Sequence, residues 1–303
     1  MPVNVPDGLP AIETLSKENI FLMTEARART QDIRPLEIAI LNLMPTKIAT
    51  ETQLIRLLSN TPLQIHLTLI SMSGHVSKNT SAEHMEAFYI SSDEALKRRF
   101  DGLIITGAPV ETLPFEEVDY WDNLQALFEW SKANVFSSLY ICWGVNAALW
   151  HFYHIDKHLL EEKLSGVYEL DIYDKANNLM RGFDDSFYMP QSRYATVYPE
   201  DLEGTDLKVV AGSPETGAVI FALPNYRQVF AIGHMEYDAL TLDKEYRRDV
   251  KAGLPIAVPI NYYPQDDPDR HPQTRWRTYA HQFFANWLNH CVYQETPYDL
   301  TKM

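Results

Sequence analysis

Through the first half of the chain, apolar runs alternate with segments whose apolar residues have helical spacing. Strands are predicted at 36–44, 63–72, 103–106 and 138–141, where apolar residues predominate and the first run is nearly continuous. Such runs are typical of strands buried on both faces. Helical spacing marks the segments between and after them, at 46–58, 93–100, 119–133 and 145–153. The alternation predicts an α/β fold with a doubly wound, mostly parallel sheet flanked by helices.

The second half of the chain has a different pattern. Short apolar segments at 207–211, 217–223 and 229–233 are separated by turn-like residues, which predicts added antiparallel strands. Two helices are expected near the end, at 241–252 and 274–292, with a loop rich in Pro and Asp at 264–272 between them. Residues 1–35 predict an N-terminal arm with one short helix. Since no break in composition marks a linker, we expect one α/β domain over 1–303.

Composition and charge exclude several classes of protein. The 303 residues include 41 Asp and Glu against 26 Lys and Arg, a formal net charge of −15. This balance argues against nucleic-acid binding, which needs clustered Lys and Arg. Two cysteines are too few for a disulfide framework, and no apolar stretch approaches the roughly 18 residues that cross a bilayer. No signal-like segment opens the chain, so we expect a cytoplasmic protein with no membrane partner.

The first candidate for chemistry is Cys142, at the end of the run 138–141, where the chain must turn sharply into a helix. Gly144 would let that helix pack close to the sheet. In such a nucleophile elbow the reactive atom stands at the carboxyl end of a strand, near backbone N–H groups that can form an oxyanion hole. The positive end of the helix favours the thiolate. The alternative is a buried structural cysteine, which is the better interpretation of Cys291.

A thiolate nucleophile needs a general base, and the base needs a group that orients it. The strand 229–233 ends at a glycine and is followed by His234 and, two residues later, Glu236. In an extended segment residues i and i+2 share a face, so the carboxylate can hold the imidazole while its other nitrogen faces the sulfur. The order of Cys142, His234 and Glu236 resembles the triad of class I glutamine amidotransferases.

Other kinds of site have weaker support in the sequence. His151, His154 and His158 have roughly helical spacing, but no further ligand completes a metal set, so we expect no metal. Neither a G-x-G-x-x-G nor a Walker A motif occurs, which argues against nicotinamide and nucleoside-triphosphate enzymes.

Six motifs together resemble the homoserine O-acyltransferase family of bacterial methionine biosynthesis. They lie at 41–47, 140–144, 163–169, 181–187, 192–194 and 233–238, and the resemblance extends from Pro2 to 298–300. It implies a class I glutamine amidotransferase-like, flavodoxin-like fold and a cytoplasmic homodimer. It also implies transfer of an acyl group from coenzyme A to the γ-hydroxyl of L-homoserine, with no permanently bound cofactor.

The resemblance implies a role for each matching residue. Cys142 would carry the acyl-thioester, His234 would be the general base, and Glu236 would orient the base. The substrate-binding positions of the family fall on Lys163, Ser192 and Arg248.

Charged residues near the strand ends extend this site. Arg248 is suited to a bidentate grip on the homoserine carboxylate, although taken alone it would be a solvated helix charge. Lys47 could approach the thioester oxygen or the coenzyme phosphates, or be a surface lysine at a helix start. Trp143 is a further candidate oxyanion or coenzyme contact. Together with Lys163 and Arg193, the cations Lys47 and Arg248 should make the site locally positive for a polyanionic donor.

Glu111 separates two branches of the family. A glycine at this position goes with succinyl-coenzyme A and a glutamate with acetyl-coenzyme A. A glutamate in the acyl pocket would fill space and repel the free carboxylate of a succinyl group, while an acetyl methyl tolerates it. We therefore expect acetyl-coenzyme A as co-substrate, unless Glu111 is only a solvated loop carboxylate.

Three alternatives stay open at this point. The first is the succinyl branch of the same family. The second is a glutamine amidotransferase, against which the chain lacks a glycine two residues before Cys142. The third is a binding or sensor module on the same fold, with Cys142 as a redox or ligand contact.

Overall fold

The structure, a computed structural model, describes residues 3–18, 23–24, 34–75, 79–297 and 300. Its strands are β1 (Val3–Val5), β2 (Met23–Thr24), β3 (Leu36–Leu41), β4 (Ile65–Ser71), β5 (Tyr89–Ser91), β6 (Phe100–Ile105), β7 (Val135–Ile141), β8 (His158–Ile172), β9 (Ser186–Thr196), β10 (Lys208–Ser213), β11 (Gly217–Ala222) and β12 (Gln228–Ala231). Its α-helices are α1 (Ala11–Lys17), α2 (Lys47–Leu58), α3 (Ala82–Phe88), α4 (Ser92–Ala95), α5 (Trp121–Asn134), α6 (Trp143–Tyr153), α7 (Thr241–Lys251) and α8 (Arg277–Asn286). A π-helix, Trp287–Tyr293, continues α8, and short 3₁₀ helices occupy Phe115–Glu117, Asn178–Met180, Pro199–Leu202 and Pro264–Asp266.

All of these strands belong to one sheet in the order β2-β1-β4-β3-β6-β7-β12-β11-β10-β8-β9, with β5 paired to β4. Pairing is parallel from β2 through β12. It is antiparallel from β12 to β9. The predicted fold class is confirmed: the alternating first half forms the parallel part, and the second half adds antiparallel strands.

Helices cover both faces of the parallel part. Alternate residues of β7 show this, because side chains on a strand point alternately to opposite faces. Tyr140 packs against Phe128 of α5, whereas Leu139 and Ile141 line a small space beside Phe283 and its neighbour on α8. A strand covered on both faces needs apolar residues at consecutive positions, which explains the continuous apolar runs in the sequence.

The N-terminal arm contributes more than the predicted helix. The predicted short helix is present as α1, but β1 also pairs with β4, aligning Asn4 with His66. Strand β2 extends the sheet beyond β1. The rest of the arm, at 1–2, 19–22 and 25–33, lies outside the described residues.

The helix predicted over 93–100 is wrong in extent. Helix α4 ends at Ala95, and β6 begins at Phe100. Phe100 is buried in the core, and the buried carboxylate of Asp101 accepts hydrogen bonds from the Glu37 N–H at 2.7 Å and from Arg34 at 2.8 Å. These tertiary contacts extend the strand into a segment whose local sequence favours a helix.

Two further features were not predicted. Strands β8 and β9 form a long antiparallel pair interrupted by a register shift between Leu159 and Leu164, which obscures the period-2 pattern in the sequence. The closing helix predicted over 274–292 begins at Arg277 and becomes a π-helix from Trp287.

The fold brings two distant segments together at one edge. Strands β7 and β12 are parallel neighbours, with Ile141 aligned to Ala231, and the Cys142 N–H donates to the Ala231 carbonyl at 3.1 Å. The residues that follow both strands therefore emerge side by side at their carboxyl ends. This is the edge at which open α/β sheets bind ligands.

Candidate active site

Cys142 occupies the sharp turn predicted between β7 and α6. Its backbone has φ 50° and ψ −118°, a conformation that is unusual for a residue with a side chain. Gly144 sits so close to the sheet that a Cβ there would lie 2.9 Å from the Thr106 carbonyl oxygen, which confirms the reason given for a glycine. A Cβ at Gly107, after β6, would lie 3.0 Å from the Cys142 Cβ. The elbow is therefore held tightly between two backbone segments.

His234 and Glu236 form the predicted pair after β12. The His234 Nδ1 lies 2.6 Å from a Glu236 carboxylate oxygen, and the imidazole is buried. The His234 N–H donates to the Pro190 carbonyl at 2.8 Å, and a Cβ at Gly233 would lie 2.5 Å from the Gln191 amide nitrogen. Strand β9 thus fixes the backbone on which the histidine is carried.

Cys142 and His234 interact electrostatically. Burial alone would lower the pKa of His234, but the negative charge of the Cys142 thiolate and that of Glu236, with hydrogen bonding to both, hold the pKa well above its usual value. The surroundings of His234 therefore favour its protonated, imidazolium form, with Glu236 bound to Nδ1 of the ring.

Tyr237 and Glu245 were missed by the sequence reasoning. The Tyr237 ring stacks on the His234 ring with centroids 4.2 Å apart, and its hydroxyl donates to Glu245 at 2.8 Å. The second oxygen of Glu245 accepts from the Ser192 hydroxyl at 2.6 Å. One carboxylate therefore links a predicted substrate-binding residue to the ring that packs on the histidine.

Glu111 lies close to this centre. Its carboxylate accepts a hydrogen bond from the Tyr194 N–H at 2.9 Å. Burial raises the pKa of Glu111, against that hydrogen bond and the positive charges of His234, Lys163 and Arg193. Glu111 is therefore not a solvated loop carboxylate but part of the charge distribution around the cysteine and histidine.

Arg193 is completely enclosed by protein. Its guanidinium donates to the Gln191 side chain at 3.0 Å and to the backbone carbonyls of Ala195 and Thr216 at 2.5 and 2.7 Å. Burial lowers its pKa to about 10, against the charges of Cys142 and Glu111. The Arg193 guanidinium is therefore not accessible to a substrate. Its positive charge can act on Cys142 and Glu111 only through the surrounding protein.

Lys163 and Arg248 share one carboxylate, that of Asp249. The Lys163 amine lies 3.1 Å from Asp249, and the Arg248 guanidinium lies 2.7 Å from its other oxygen. Arg248 keeps 65% of its side-chain surface exposed, whereas Lys163 keeps 8%. Glu245 and Asp249 are four residues apart on α7, so they share a helix face, and this spacing is the signal that would have found them.

Lys47 and Trp143 are more enclosed than expected. The Lys47 amine is buried and donates to the Asn42 carbonyl at 2.6 Å, and burial lowers its pKa to about 8. The Trp143 indole is fully buried beside Phe115 and Tyr120, so it cannot reach a coenzyme. Its backbone N–H, at the start of α6, has no carbonyl four residues back within the helix and can serve an oxyanion.

The expectation of a locally positive site therefore needs correction. Among the cations proposed for it, Arg193 is enclosed and Lys47 is tied to backbone carbonyls. Lys163 and Arg248 are partly neutralised by Asp249. The site holds compensated charges, with only Arg248 largely exposed.

The three histidines considered for a metal lie apart from this centre. His151 pairs with Glu129 at 2.8 Å and His158 with Asp201 at 2.9 Å. Among the described residues, no group of three or more His, Cys, Asp and Glu side chains is arranged to hold a metal ion. In that same part of the chain, no helix has the length and apolar character needed to cross a membrane.

Comparison with known proteins places the chain among homoserine acyltransferases. The sequence profile of the family described as homoserine O-succinyltransferase matches residues 2–298. A homoserine O-acetyltransferase of Streptococcus thermophilus is 53% identical over all of this chain and 97% of its own length. Those of Petrotoga mobilis and Phocaeicola vulgatus are 53% and 50% identical over 99% and 100% of this chain, and 97% and 100% of their own.

Solved structures share the fold at low sequence identity. A glutamine amidotransferase of Thermotoga maritima has a TM-score of 0.56 and 13% identity, covering 86% of this chain and all of that one. A glutamine amidotransferase of Methylobacillus flagellatus has a TM-score of 0.52 and 12% identity, covering 88% and 99%. The expected glutamine amidotransferase-like fold is confirmed.

Proposed function

The chain belongs to the homoserine O-succinyltransferase family, and from this premise we propose that it transfers acetyl from acetyl-coenzyme A to the γ-hydroxyl of L-homoserine through Cys142. The observation that carries the mechanism is the buried Cys142, His234 and Glu236 constellation at the ends of two adjacent parallel strands. The full-length relatives named homoserine O-acetyltransferase support the reaction and the acetyl donor.

In the first half-reaction the Cys142 thiolate attacks the thioester carbon of acetyl-coenzyme A. The carbonyl oxygen becomes an oxyanion, for which the Trp143 N–H at the start of α6 is the proposed donor. The C–S bond to the coenzyme then breaks, and the His234 imidazolium supplies the proton to the leaving thiolate. The products are acetyl-Cys142 and coenzyme A.

Acetylation prepares His234 for the second half-reaction. The thioester is neutral, so the imidazole loses the negative charge that most raises its pKa while remaining buried. Neutral His234 can then take the proton from the homoserine hydroxyl as its oxygen attacks the acetyl carbon. Breaking the bond to the Cys142 sulfur releases O-acetyl-L-homoserine and restores the thiolate–imidazolium pair.

Homoserine carries a carboxylate and an ammonium, and the site has side chains of opposite charge for each of them. Arg248 is exposed enough to grip the carboxylate. Glu245 and Asp249 supply negative charge beside Ser192 and Lys163 for the ammonium. The homodimer and the absence of a permanent cofactor remain proposals from the family resemblance. The single domain and the cytoplasmic location remain proposals that the sequence pattern also supports.

The direct test of the function compares donors and acceptors with purified protein. We expect coenzyme A release that depends on L-homoserine and is faster with acetyl- than with succinyl-coenzyme A. Glutaminase activity without homoserine-dependent coenzyme A release would contradict the proposal and favour the amidotransferase alternative.

Replacing Cys142 by serine is expected to lower the pKa of His234. Serine is neutral, so the imidazolium loses its neighbouring negative charge while the desolvation of the ring stays. Titration of the His234 ring protons by NMR should give a lower midpoint in Cys142→Ser than in the wild type. Glu236→Gln should move the midpoint in the same direction, and unchanged midpoints in both variants would refute the ion-pair description.

Glu245→Gln is expected to weaken homoserine binding more than acetylation of the enzyme. The amide keeps one acceptor but loses the charge, so one of the bonds to Tyr237 and Ser192 is lost. We expect the KM for homoserine to rise about tenfold, equivalent to roughly 1.4 kcal/mol.

Rapid-quench measurement separates the two steps, because acetyl-enzyme formation needs no homoserine and should change less than threefold, a range of about 0.7 kcal/mol. The exposed Glu200→Gln is the matched control, with the same chemical change away from the site. An unchanged homoserine KM in Glu245→Gln would remove Glu245 from the substrate site.

A further inference from the structure

Glu111 lies on a loop that connects β6 to the short 3₁₀ helix beginning at Phe115. The loop starts beside the nucleophile, because a Cβ at Gly107 would lie 3.0 Å from the Cys142 Cβ. It ends at Phe115, whose buried ring stacks on Trp150 of α6 with centroids 5.7 Å apart. Both ends of the loop are therefore fixed by packing, and the position of Glu111 depends on what holds the residues between them.

Glu111 stands in a turn within this loop. The Leu113 N–H closes the turn by donating to the Val110 carbonyl at 3.1 Å, and the Leu113 side chain is exposed. Two hydrogen bonds connect the turn to other described parts of the chain. The Glu111 carboxylate accepts from the Tyr194 N–H at 2.9 Å, and the Leu113 carbonyl accepts from the Lys157 amine at 2.5 Å. Lys157 is therefore the second point at which the turn is attached.

The surroundings of Lys157 keep its amine at this contact. Lys157 is half-buried in the segment between α6 and β8, and its amine lies 4.1 Å from the centroid of the Phe115 ring, whose face attracts a cation. Burial lowers the pKa of Lys157, against the negative charges of Asp156, Glu111 and Glu116. The amine is thus held by an aromatic ring and by the charge of the carboxylate that the loop carries.

We propose that Lys157 is a positioning residue for donor selection, which holds the Leu113 carbonyl and thereby keeps the Glu111 carboxylate in the acyl pocket. Without this bond the turn is attached through the Tyr194 N–H, for which the free carboxylate of a succinyl group can compete. With the bond in place, Glu111 cannot swing aside to admit that group. The inference rests on the proposed acetyl transfer and on the proposed role of Glu111 in it.

The test is the ratio of kcat/KM for acetyl- and succinyl-coenzyme A in Lys157→Met. Methionine keeps an unbranched apolar stem over the Phe115 ring but lacks the amine. We expect the ratio to move toward succinyl by about fivefold, the range of one lost hydrogen bond, while kcat with acetyl-coenzyme A stays within about twofold. Lys157→Arg keeps the charge and the donor and should restore most of the wild-type ratio.

A double-mutant cycle with Glu111→Gly separates positioning from a direct effect of the Lys157 charge. Once the Glu111 carboxylate is gone there is nothing to position, so adding Lys157→Met should change the ratio less than about twofold. A direct attraction between Lys157 and the succinyl carboxylate would instead make Lys157→Met move the ratio toward acetyl in both backgrounds. That result, or a wild-type ratio in the Lys157→Met single variant, overturns the proposal.

Lys208→Met is the matched control, because Lys208 is exposed on β10 and the chemical change is the same. Its donor ratio should equal that of the wild type. The two proposals fail in different ways. Absence of homoserine-dependent coenzyme A release from the wild type with either donor contradicts the proposed function. An active Lys157→Met enzyme with an unchanged donor ratio contradicts only the role of Lys157.

Discussion

Cys142→Ala is expected to abolish acetyl transfer, with kcat falling at least about 10⁴-fold, as losses of nucleophiles do in enzymes with a covalent intermediate. No other described cysteine can replace it, because Cys291 is fully buried in the closing helix and burial raises the pKa of its thiol far above the usual range. The rate is measured as homoserine-dependent release of coenzyme A. Intact-protein mass spectrometry after acetyl-coenzyme A alone should show one acetyl group on the wild type and none on the variant.

Cys291→Ala is the matched control for this experiment. It removes the second thiol of the chain at a site without solvent access, so acetylation and turnover should remain close to those of the wild type. Substantial turnover by Cys142→Ala, or an acetyl group trapped on a residue other than Cys142, would refute the covalent mechanism. Substantial turnover without the Cys142 thiol would favour a binding or sensor role for this residue.

Glu111→Gly is expected to shift the donor preference from acetyl- to succinyl-coenzyme A. In the wild type the Glu111 carboxylate accepts from the Tyr194 N–H and sits within the fields of Lys163 and Arg193. A succinyl carboxylate entering the same pocket would meet this negative charge, and like charges placed together cost several kcal/mol. Glycine leaves space and the Tyr194 N–H for the free carboxylate of the succinyl group, while the charges of Lys163 and Arg193 act on it from a distance.

The measurement is the ratio of kcat/KM for the two donors at a fixed homoserine concentration. We expect this ratio to move toward succinyl by about 10²-fold, equivalent to roughly 2.7 kcal/mol. Glu111→Gln keeps the size of the side chain and removes its charge, so an intermediate shift would divide the effect between repulsion and volume. No change of the ratio in Glu111→Gly would remove Glu111 from the acyl pocket.

The site was predictable from the sequence where it depends on local geometry. The turn at Cys142 and the pairing of His234 with Glu236 each involve residues within a few positions of one another. Their arrangement follows from strand alternation and from the geometry of a strand-to-helix turn.

Residues that act across the fold were not predictable in this way. Tyr237 and Glu245 gain their importance from the ring of His234 and the hydroxyl of Ser192, which lies on a different strand. The sequence predicted Arg193 as a cation of the substrate site, but strand pairing encloses its side chain in the protein. Contacts between residues that are distant in the sequence leave no periodic pattern of apolar and polar positions. Such contacts therefore cannot be predicted from a short segment of the chain.

The sequence alone was enough to predict the α/β class, the strand ends that carry Cys142 and His234, and the family resemblance. Each of these depends on hydrophobic periodicity or on a short motif, and both are properties of consecutive residues. Only the tertiary structure decided which charges remain free. Arg248 stays exposed, Lys163 is held by Asp249, and Arg193 is enclosed. These outcomes depend on which side chains the pairing of β8 with β9 and the packing of α7 bring within hydrogen-bonding distance, and that distance is set by the fold and not by separation in sequence.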